Sequence, residues 1–361
     1  MECSEIERHF EKAESLRQKS HYPESLVLFK KALAGYLSID DRQGALECRL
    51  AIGDVHRMIG SYDLAVRSYG EAANLGAELG DKVAVADARM NIGLALRGKG
   101  DWKNALSALK KALVFYKKND DRQAVAFTLW AIAGTLRIRG DICETIGTYK
   151  EALRIFRLLK LKPSEGYCLC GLGGAHRIAG LFSESLEYYM EANRMFSALR
   201  DVFGTAYSYC GTGNAYRMLG KYKKALASFG RASTLYQKIG DRVSYSYTLW
   251  SIGTTHKMLG DFEKARHYFK AARSLFQKTK DPRGLIYCRL GMGEVAMLEG
   301  RKARAEEYFE ESLKQAAAFG FKLEYCHAEM LRSYLSGKIK NGCYNRLLLK
   351  LAFDRAPFNI P

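Results

Sequence analysis

The chain has 361 residues, of which 48% are apolar and only five are proline, and its formal net charge is +18. This apolar and aromatic content excludes disordered, collagen-like and low-complexity chains. The longest runs without a charged residue, such as 202–216, contain Gly, Ser and Asn and fall short of the roughly 20 apolar residues that a membrane-spanning helix needs.

The N-terminus and the cysteines indicate the compartment. Residues 1–5 are acidic and lack an apolar stretch, so we expect no secretory signal. The nine cysteines are an odd number and are scattered through apparent helices. They are therefore expected to be reduced thiols, which favours a cytoplasmic location.

The sequence repeats every forty residues, and nine rows of forty leave one residue over. We number these rows repeat one (residues 1–40) to repeat nine (321–360). Glycine marks the period at Gly60, Gly100, Gly140, Gly180, Gly220, Gly260 and Gly300. A second column lies seven residues earlier, at Gly53, Gly93, Gly173, Gly213, Gly253 and Gly293. A fixed period of this size is typical of a solenoid.

Each repeat is predicted to contain two helices. In repeat two, residues 43–59 carry apolar and small residues at helical spacing. Asp41 stands where the N-cap belongs, and Gly60 stands where a left-handed C-cap favours glycine. Residues 62–78 form the second helix of the pair. Because one pair cannot bury both of its faces, we expect stacked neighbours to supply the core.

These residues resemble the tetratricopeptide repeat. The family pattern is met in repeat two by Ile52, Gly53, His56, Gly60, Tyr62, Ala65, Tyr69 and Ala72, and more fully in repeat six by Gly213, Asn214, Ala215, Tyr216, Gly220, Tyr222, Ala225, Phe229 and Ala232. The forty-residue variant looks like the repeats of the Leu-Gly-Asn adaptors of spindle orientation. The resemblance implies an all-α solenoid of about nine repeats. It further implies a right-handed superhelix whose first helices line the concave face.

The resemblance covers residues 1–335, which we expect to form one continuous solenoid. Residues 336–361 depart from the pattern and are expected to form a C-terminal capping helix, over 343–351, and a tail, because a terminal repeat must shield the last open face. Leu347, Leu348, Leu349 and Leu351 on that helix suggest self-association as one alternative role.

One column of the repeat is basic, although packing does not require it. Four residues after each glycine of the Leu-Gly pair stand Arg17, Arg57, Arg97, Arg137, Arg177, Arg217 and Lys257, and the column stops at Met297. We call these seven residues the ladder. Side chains three and seven residues earlier share its helix face. No acidic column runs beside the ladder in the sequence, which favours side chains that face a ligand over side chains that are paired internally.

The predicted concave groove combines the ladder with aromatic and polar residues. We expect it to be lined by Arg57, Arg97, Arg137, Arg177, Arg217, Lys257, Trp130, Trp250, Asn214, Tyr167, Tyr207, Tyr247 and Tyr287. Arginine pairs with carboxylate or phosphate, and aromatic side chains hold apolar anchors or stack on bases.

These features predict a non-enzymatic adaptor that binds an extended acidic segment of a partner protein. Binding of single-stranded RNA or another polyanion in the same groove is the alternative from another class. The sequence holds no phosphate-binding loop, no zinc-ligand spacing and no convergent Ser, His and Asp. We therefore predict no catalytic residue, no metal and no cofactor. Much of the remaining positive charge, such as Lys110, Lys117 and Lys118, is expected on an outer, solvated face.

Overall fold

The computed structural model describes residues 3–19, 21–351 and 353–361. Antiparallel helix pairs follow one another along the chain. The helices are α1 Cys3–Gln18, α2 Tyr22–Ser38, α3 Arg42–Met58, α4 Tyr62–Glu78, α5 Lys82–Lys99, α6 Trp102–Lys118, α7 Arg122–Arg139, α8 Ile142–Leu158, α9 Lys162–Ile178, α10 Phe182–Leu199, α11 Val202–Met218, α12 Tyr222–Ile239, α13 Arg242–Met258, α14 Phe262–Lys278, α15 Pro282–Leu298, α16 Lys302–Phe319, α17 Lys322–Leu335 and α18 Gly342–Arg346.

The helix boundaries follow from the repeated cap residues. The Asp41 carboxylate accepts a hydrogen bond from the backbone N–H of Gly44 at 2.9 Å, which satisfies one of the free donors at the start of α3. The same cap begins α5, α7, α11, α13 and α15. Gly60 and Gly100 end first helices with φ values of +79° and +88°, which residues with a Cβ adopt at a cost. The predicted cap columns are confirmed.

The small residues of the repeat allow the two helices of a pair to approach closely. A Cβ on Gly213 of α11 would lie 2.6 Å from the ring of Phe229 on α12, so only glycine fits. Phe229 itself is fully buried. Each repeat packs against the next in the same way, so that the core is one continuous strip along the stack. The predicted class, an all-α solenoid of helix-turn-helix repeats, is confirmed, with eight full pairs followed by α17 and α18.

The solenoid curves until its later repeats touch its earlier ones. The indole N–H of Trp102, in repeat three, donates to the carbonyl of Phe319, in repeat eight, at 2.9 Å. Lys322 of repeat nine forms an ion pair with Asp141 of repeat four at 2.8 Å. The concave groove between these contacts is therefore narrow, and side chains on one wall lie close to those on the other.

The C-terminal segment closes the groove. Its structure corrects two expectations, that all cysteines are reduced and that the capping helix reaches residue 351. Cys326 of α17 and Cys343 of α18 form a disulfide, because the turn after α17 brings two cysteines together that stand in unrelated columns. The other seven cysteines are free. The capping helix ends at Arg346, short of the predicted 351.

The apolar residues after α18 are largely used inside the molecule. Leu349 and Leu351 pack in the core of the last repeats, and only Leu348 is well exposed. The carbonyl of Lys350 lies beside Gly180, at the turn between α9 and α10. The segment thus bridges repeat nine to repeat five, and little of it remains as a surface for self-association.

Candidate functional site

The ladder occupies the last turn of the first helix in each of repeats one to seven, on the concave side. Its members reach across to the first helix of the following repeat, at the residue thirty-seven positions later. Arg17 contacts Asp54 at 3.7 Å, and Lys257 forms an ion pair with Glu294. The facing column is Asp54, Leu94, Gly134, Gly174, Asn214, Thr254 and Glu294. This column holds acids at its two ends and neutral residues between them.

Glycine in the facing column makes room for the arginine of the preceding repeat. A Cβ on Gly134 would lie 2.5 Å from the Nη1 atom of Arg97, and a Cβ on Gly174 would lie 2.4 Å from Nη1 of Arg137. The guanidinium groups therefore lie close to the backbone of the next first helix. The sequence carries a signal for this contact in the adjacent glycines Gly173 and Gly174. Packing of the helix pair explains Gly173, which faces Tyr189, but Gly174 faces Arg137 of the preceding repeat.

The N-terminal end of the ladder is neutralised internally. Arg17 forms ion pairs with Glu14 at 2.7 Å and with Asp54. Arg57 lies 3.5 Å from the same Asp54 carboxylate and donates to the hydroxyl of Tyr69 at 3.3 Å. The expectation that Arg57 faces a ligand as a free cation is corrected, because one carboxylate serves both arginines.

The C-terminal end of the ladder is also occupied. Lys257 is buried and forms a salt bridge with buried Glu294, and its ammonium donates to the carbonyl of Phe358 at 2.6 Å. Arg217 is fully buried and hydrogen-bonds to Asn359 and Asn214. Burial, together with the charge of Arg177, lowers the pKa of Arg217 to about 9. These two residues are corrected from open ligand contacts to contacts of the chain's own C-terminus.

The middle of the ladder is unpaired. Among the described residues, ion pairs on the ladder involve Arg17, Arg57 and Lys257, and none involves Arg97, Arg137 or Arg177. These three are half-buried. The Nε of Arg137 and the Nε and Nη1 of Arg177 are shielded from solvent without a hydrogen-bond partner in that part of the chain. Buried guanidinium donors are costly when they are left unsatisfied.

The two tryptophans of the predicted site lie under ladder arginines. The guanidinium of Arg97 is 5.2 Å from the ring centre of half-buried Trp130, and that of Arg217 is 5.7 Å from the ring of buried Trp250. These cation–π contacts hold the guanidinium groups in place. Burial, with the neighbouring charges of Arg137 and Arg57, lowers the pKa of Arg97.

Three members of the predicted aromatic rim bind neighbouring side chains through their hydroxyls. Tyr167 donates to the Asp201 carboxylate at 2.7 Å, and Tyr247 donates to Asp281 at 2.8 Å. Tyr287 is buried and accepts a hydrogen bond from Arg283 at 3.2 Å. The bonds of Tyr167 and Tyr247 tie successive first helices together, whereas that of Tyr287 lies within α15.

The fourth rim residue, Tyr207, stacks on Phe203 with a ring separation of 6.2 Å. The rim is corrected from a row of free aromatic faces to a row whose members already have partners.

The wall opposite the unpaired arginines comes from repeats eight and nine. Arg283 pairs with buried Glu324, and buried His327 lies with Nδ1 2.7 Å from the hydroxyl of Tyr344. Burial, with the charges of Arg283 and Arg177, lowers the pKa of His327 to about 3. His327 therefore stays neutral and adds no charge to this wall of the groove.

A surface depression also lies away from this site. It has a volume of about 530 Å³ and lies between α8 and α10, beside Lys150, Arg154 and Arg157. Arg157 there is already paired with Glu165 and Glu191. Within the described ranges, no group of three His, Cys, Asp or Glu side chains converges to hold a metal ion. None of the described helices is both long enough and apolar enough to cross a membrane.

Several solved structures share this architecture at low sequence identity. A Rap protein complexed with Competence and Sporulation Factor is 15% identical, with a TM-score of 0.62 over 95% of this chain and 99% of that one. The Rap conjugation gene regulator of plasmid pLS20, in complex with the Phr* peptide, is 14% identical, with a TM-score of 0.63 over 87% and 95%. Aspartyl phosphate phosphatase F from Bacillus subtilis is 14% identical, with a TM-score of 0.50 over 94% and 97%.

Sequence comparison agrees with the structural one. No curated protein matches the chain. Two family models, both described as tetratricopeptide repeat, match residues 50–121 in one case and residues 167–238 and 244–318 in the other. Together the matched segments make up more than half of the chain. The finer resemblance to the Leu-Gly-Asn adaptors stays a prediction. The chain belongs to the tetratricopeptide repeat family.

Proposed function

We propose that the chain is an interaction scaffold that binds an extended acidic segment of a partner protein in the groove, with Arg97, Arg137 and Arg177 as its anion contacts. The observation that carries this proposal is the row of three unpaired guanidinium groups on successive repeats. Carboxylates on the partner would supply the acceptors that these groups lack. A cytoplasmic location of the chain stays part of the proposal.

The pattern of charge along the ladder supports this assignment. Acids in the facing column neutralise both ends of the ladder, at Asp54 and Glu294, whereas Gly134 and Gly174 leave the middle unpaired. A ladder that served packing alone would gain from an acid at every repeat, since an unpaired buried charge costs several kcal/mol. The facing column lacks an acid from Leu94 to Thr254, but Arg57 and Arg217 have other partners. Among the described residues, the ladder arginines left unpaired are therefore those of three consecutive repeats, and these define a site.

The fold supports a peptide as the ligand. The Rap conjugation gene regulator of pLS20 was solved in complex with a peptide, Phr*, and another Rap protein was solved with Competence and Sporulation Factor. The proposal is a binding role rather than a catalytic one, because a guanidinium group keeps its proton at neutral pH and does not serve as an acid or a base.

Single-stranded RNA is the less favoured ligand. Base stacking needs free aromatic faces, but Tyr207 already stacks on Phe203 and Trp130 lies against Arg97. Outer lysines such as Lys110 and Lys117 are exposed and would attract any polyanion without selectivity.

The spacing of the ladder sets the design of a probe. Neighbouring helices pack about 10 Å apart, and a polyproline II chain advances about 3.1 Å per residue with three residues per turn. Glu at every third position of such a peptide therefore lies on one face and presents one carboxylate to each repeat. The acidic probe is a fluorescein-labelled peptide of about twelve residues with this spacing, and the neutral probe carries Gln at the same positions.

The test compares two variants of equal net charge. Arg97→Gln/Arg137→Gln/Arg177→Gln removes the proposed contacts, and Lys110→Gln/Lys117→Gln/Lys118→Gln removes three exposed outer charges. Because each charge-assisted hydrogen bond contributes about 1.5–3 kcal/mol, the ladder variant should bind the acidic probe about 100-fold more weakly or worse. The outer variant should bind normally.

Three results would contradict the proposal. Equal losses in both variants would mean that binding is non-specific attraction to positive charge. Equal binding of the acidic and neutral probes would mean that the protein does not recognise the carboxylates of the probe. The site would be assigned to RNA if an oligouridine of about twelve nucleotides bound tightly, the ladder variant alone lost this binding, and the acidic probe did not bind.

A further inference from the structure

The last residues of the chain run along the groove through repeats six to eight. Residues 358–361 are buried or nearly so and contact the ladder at Arg217 and Lys257. They continue the line of the unpaired arginines of repeats three to five. The groove therefore already holds one extended segment, and its contacts show what this part of the groove recognises.

The first contact recognises the backbone of Phe358. The ammonium of Lys257 donates to the carbonyl of Phe358 at 2.6 Å, and the N–H of Phe358 donates to the carboxylate of Glu294. The buried ion pair thus satisfies both backbone groups of one residue. This is possible only where an extended segment lies between the two charged side chains.

The second contact reads an amide side chain. Arg217 donates to the amide oxygen of Asn359, and the amide nitrogen of Asn359 donates to the backbone carbonyl of Arg217 at 2.8 Å. Because the asparagine both accepts and donates here, an aspartate would lose the bond to the Arg217 carbonyl and a leucine would lose both bonds.

The third contact is apolar. Ile360 lies in the same apolar cluster as Trp250, Tyr287 and Leu290 and lines a small cavity with them. Phe358 lies edge-on to Tyr334, with ring centres 5.0 Å apart. Phe358 and Ile360 are both buried, so this part of the groove holds an aromatic and an aliphatic side chain on either side of the asparagine.

The cost of these contacts argues against simple capping. Arg217, Lys257 and Glu294 are charged and almost fully buried, and a buried ion pair is often no more stable than apolar residues of the same shape. Leucine in these columns would cover the end of the stack as well. What the charged groups add is selectivity for the backbone and side chain of a particular segment.

We propose that the groove of repeats six to eight is a subsite for an extended segment with an aromatic residue, an asparagine and an aliphatic residue in sequence. The chain's own C-terminus occupies this subsite, and a partner segment of the same chemistry displaces it. The inference rests on the proposed function, since it extends the same groove from three repeats to six. A ligand that fills both parts combines acidic residues with this apolar–Asn–apolar segment.

The test supplies the segment as a separate peptide. The protein is the chain ending at Arg355, and the probe is a fluorescein-labelled peptide with the sequence of residues 355–361. The control is the same peptide with Asn359→Ala. We expect the shortened chain to bind the probe, the full chain to bind it at least about 10-fold more weakly, and the shortened chain to bind the control about 10-fold more weakly.

The outcomes separate this inference from the proposed function. If the shortened chain keeps its helical circular dichroism and fails to bind the probe, or if both chains bind it equally, the subsite is wrong. Binding of the acidic probe through Arg97, Arg137 and Arg177 is measured separately in the full chain. If the full chain fails to bind the acidic probe while the shortened chain still binds the tail peptide, the proposed function is wrong and the subsite stands.

A second measurement covers the case in which the shortened chain does not fold. Hydrogen exchange of the unmodified full chain should show protection at the amide of Phe358, which donates to Glu294. Asn359→Ala in the full chain should lower the protection of the amides of residues 358–360 at least about 10-fold and leave repeats one to five unchanged. Exchange of the tail amides at the rate of an unfolded peptide would overturn the inference.

Discussion

Removal of the Glu294 carboxylate is the sharpest perturbation of the ladder. The carboxylate is fully buried, Lys257 is 2% exposed, and the two form an ion pair. Burial raises the pKa of Glu294 and lowers that of Lys257. Each charge is therefore tolerated only because the other is present. Glu294→Ala leaves the ammonium of Lys257 with the Phe358 carbonyl as its remaining partner.

The expected loss of stability is about 3–5 kcal/mol, the usual cost of breaking a buried pair from one side. Neutralisation of the lysine offers no cheaper route, because deprotonating an ammonium with an ordinary pKa of 10.5 at pH 7 costs about 5 kcal/mol. Lys257→Met/Glu294→Leu removes both charges and keeps the volume. This double variant should recover part of the loss, because no buried charge is left without its partner. Recovery is incomplete because the backbone N–H and carbonyl of Phe358 lose their partners.

Urea unfolding followed by circular dichroism measures these differences. The matched control is Glu310→Ala, whose partner Lys314 lies 3.2 Å away on the surface, with both side chains at least half exposed. We expect a change of about 0.5 kcal/mol or less there. A Glu294→Ala variant that is no less stable than the Glu310→Ala variant would refute the buried pair. A double variant as unstable as the single one would refute the reasoning about uncompensated charge.

Three further predictions concern other parts of the molecule. The pKa of His327 is about 3 in the folded chain and about 6.5 in the unfolded chain, so acidification protonates the unfolded state first. The free energy of unfolding should therefore fall by about 2 kcal/mol from pH 7 to pH 5. The His327→Gln variant should lack this part of the pH dependence in urea unfolding. Equal pH slopes would contradict the assignment. Gly174→Ala should displace the end of the Arg137 side chain and weaken acidic-probe binding about 10-fold. Gly211→Ala, whose Cβ would lie 2.0 Å from a buried tyrosine ring, should instead cost about 1–3 kcal/mol of stability. A larger loss of probe binding in Gly211→Ala than in Gly174→Ala would refute the contact at Gly174. A thiol assay in denaturant without reductant should count seven free cysteines, and a count of nine would exclude the pairing of Cys326 with Cys343.

The period of the sequence predicted most of the fold. Asp41 and its equivalents mark helix starts because a side-chain cap is a local interaction, and Gly60 and its equivalents mark helix ends because a positive φ is a local property. Both can be read without knowing what lies across the molecule. The match between Gly213 and Phe229 is also local, since the two residues belong to one helix pair.

The contacts between distant repeats were not visible in the sequence. The bond from Trp102 to Phe319 and the pair of Lys322 with Asp141 join residues about 180 or more positions apart, and they depend on the curvature of the whole stack. The disulfide was missed for a similar reason. Cys343 stands outside the repeat, so no column placed it beside Cys326.

The candidate site was found in part. The ladder follows from the period, but its pairing depends on a column thirty-seven residues later. That column is acidic at Asp54 and Glu294 alone, so it does not stand out as an acidic stripe. Occupation of Arg217 by Asn359 depends on the path of the tail, and the tail has no repeat from which a path can be inferred.

A crystal structure of the chain with the acidic probe bound tests the central claim most directly. We expect the peptide to lie extended along the groove, with one carboxylate within hydrogen-bond distance of each of Arg97, Arg137 and Arg177. A probe bound instead to outer lysines such as Lys110 and Lys117, with the three guanidinium groups unchanged, would contradict it.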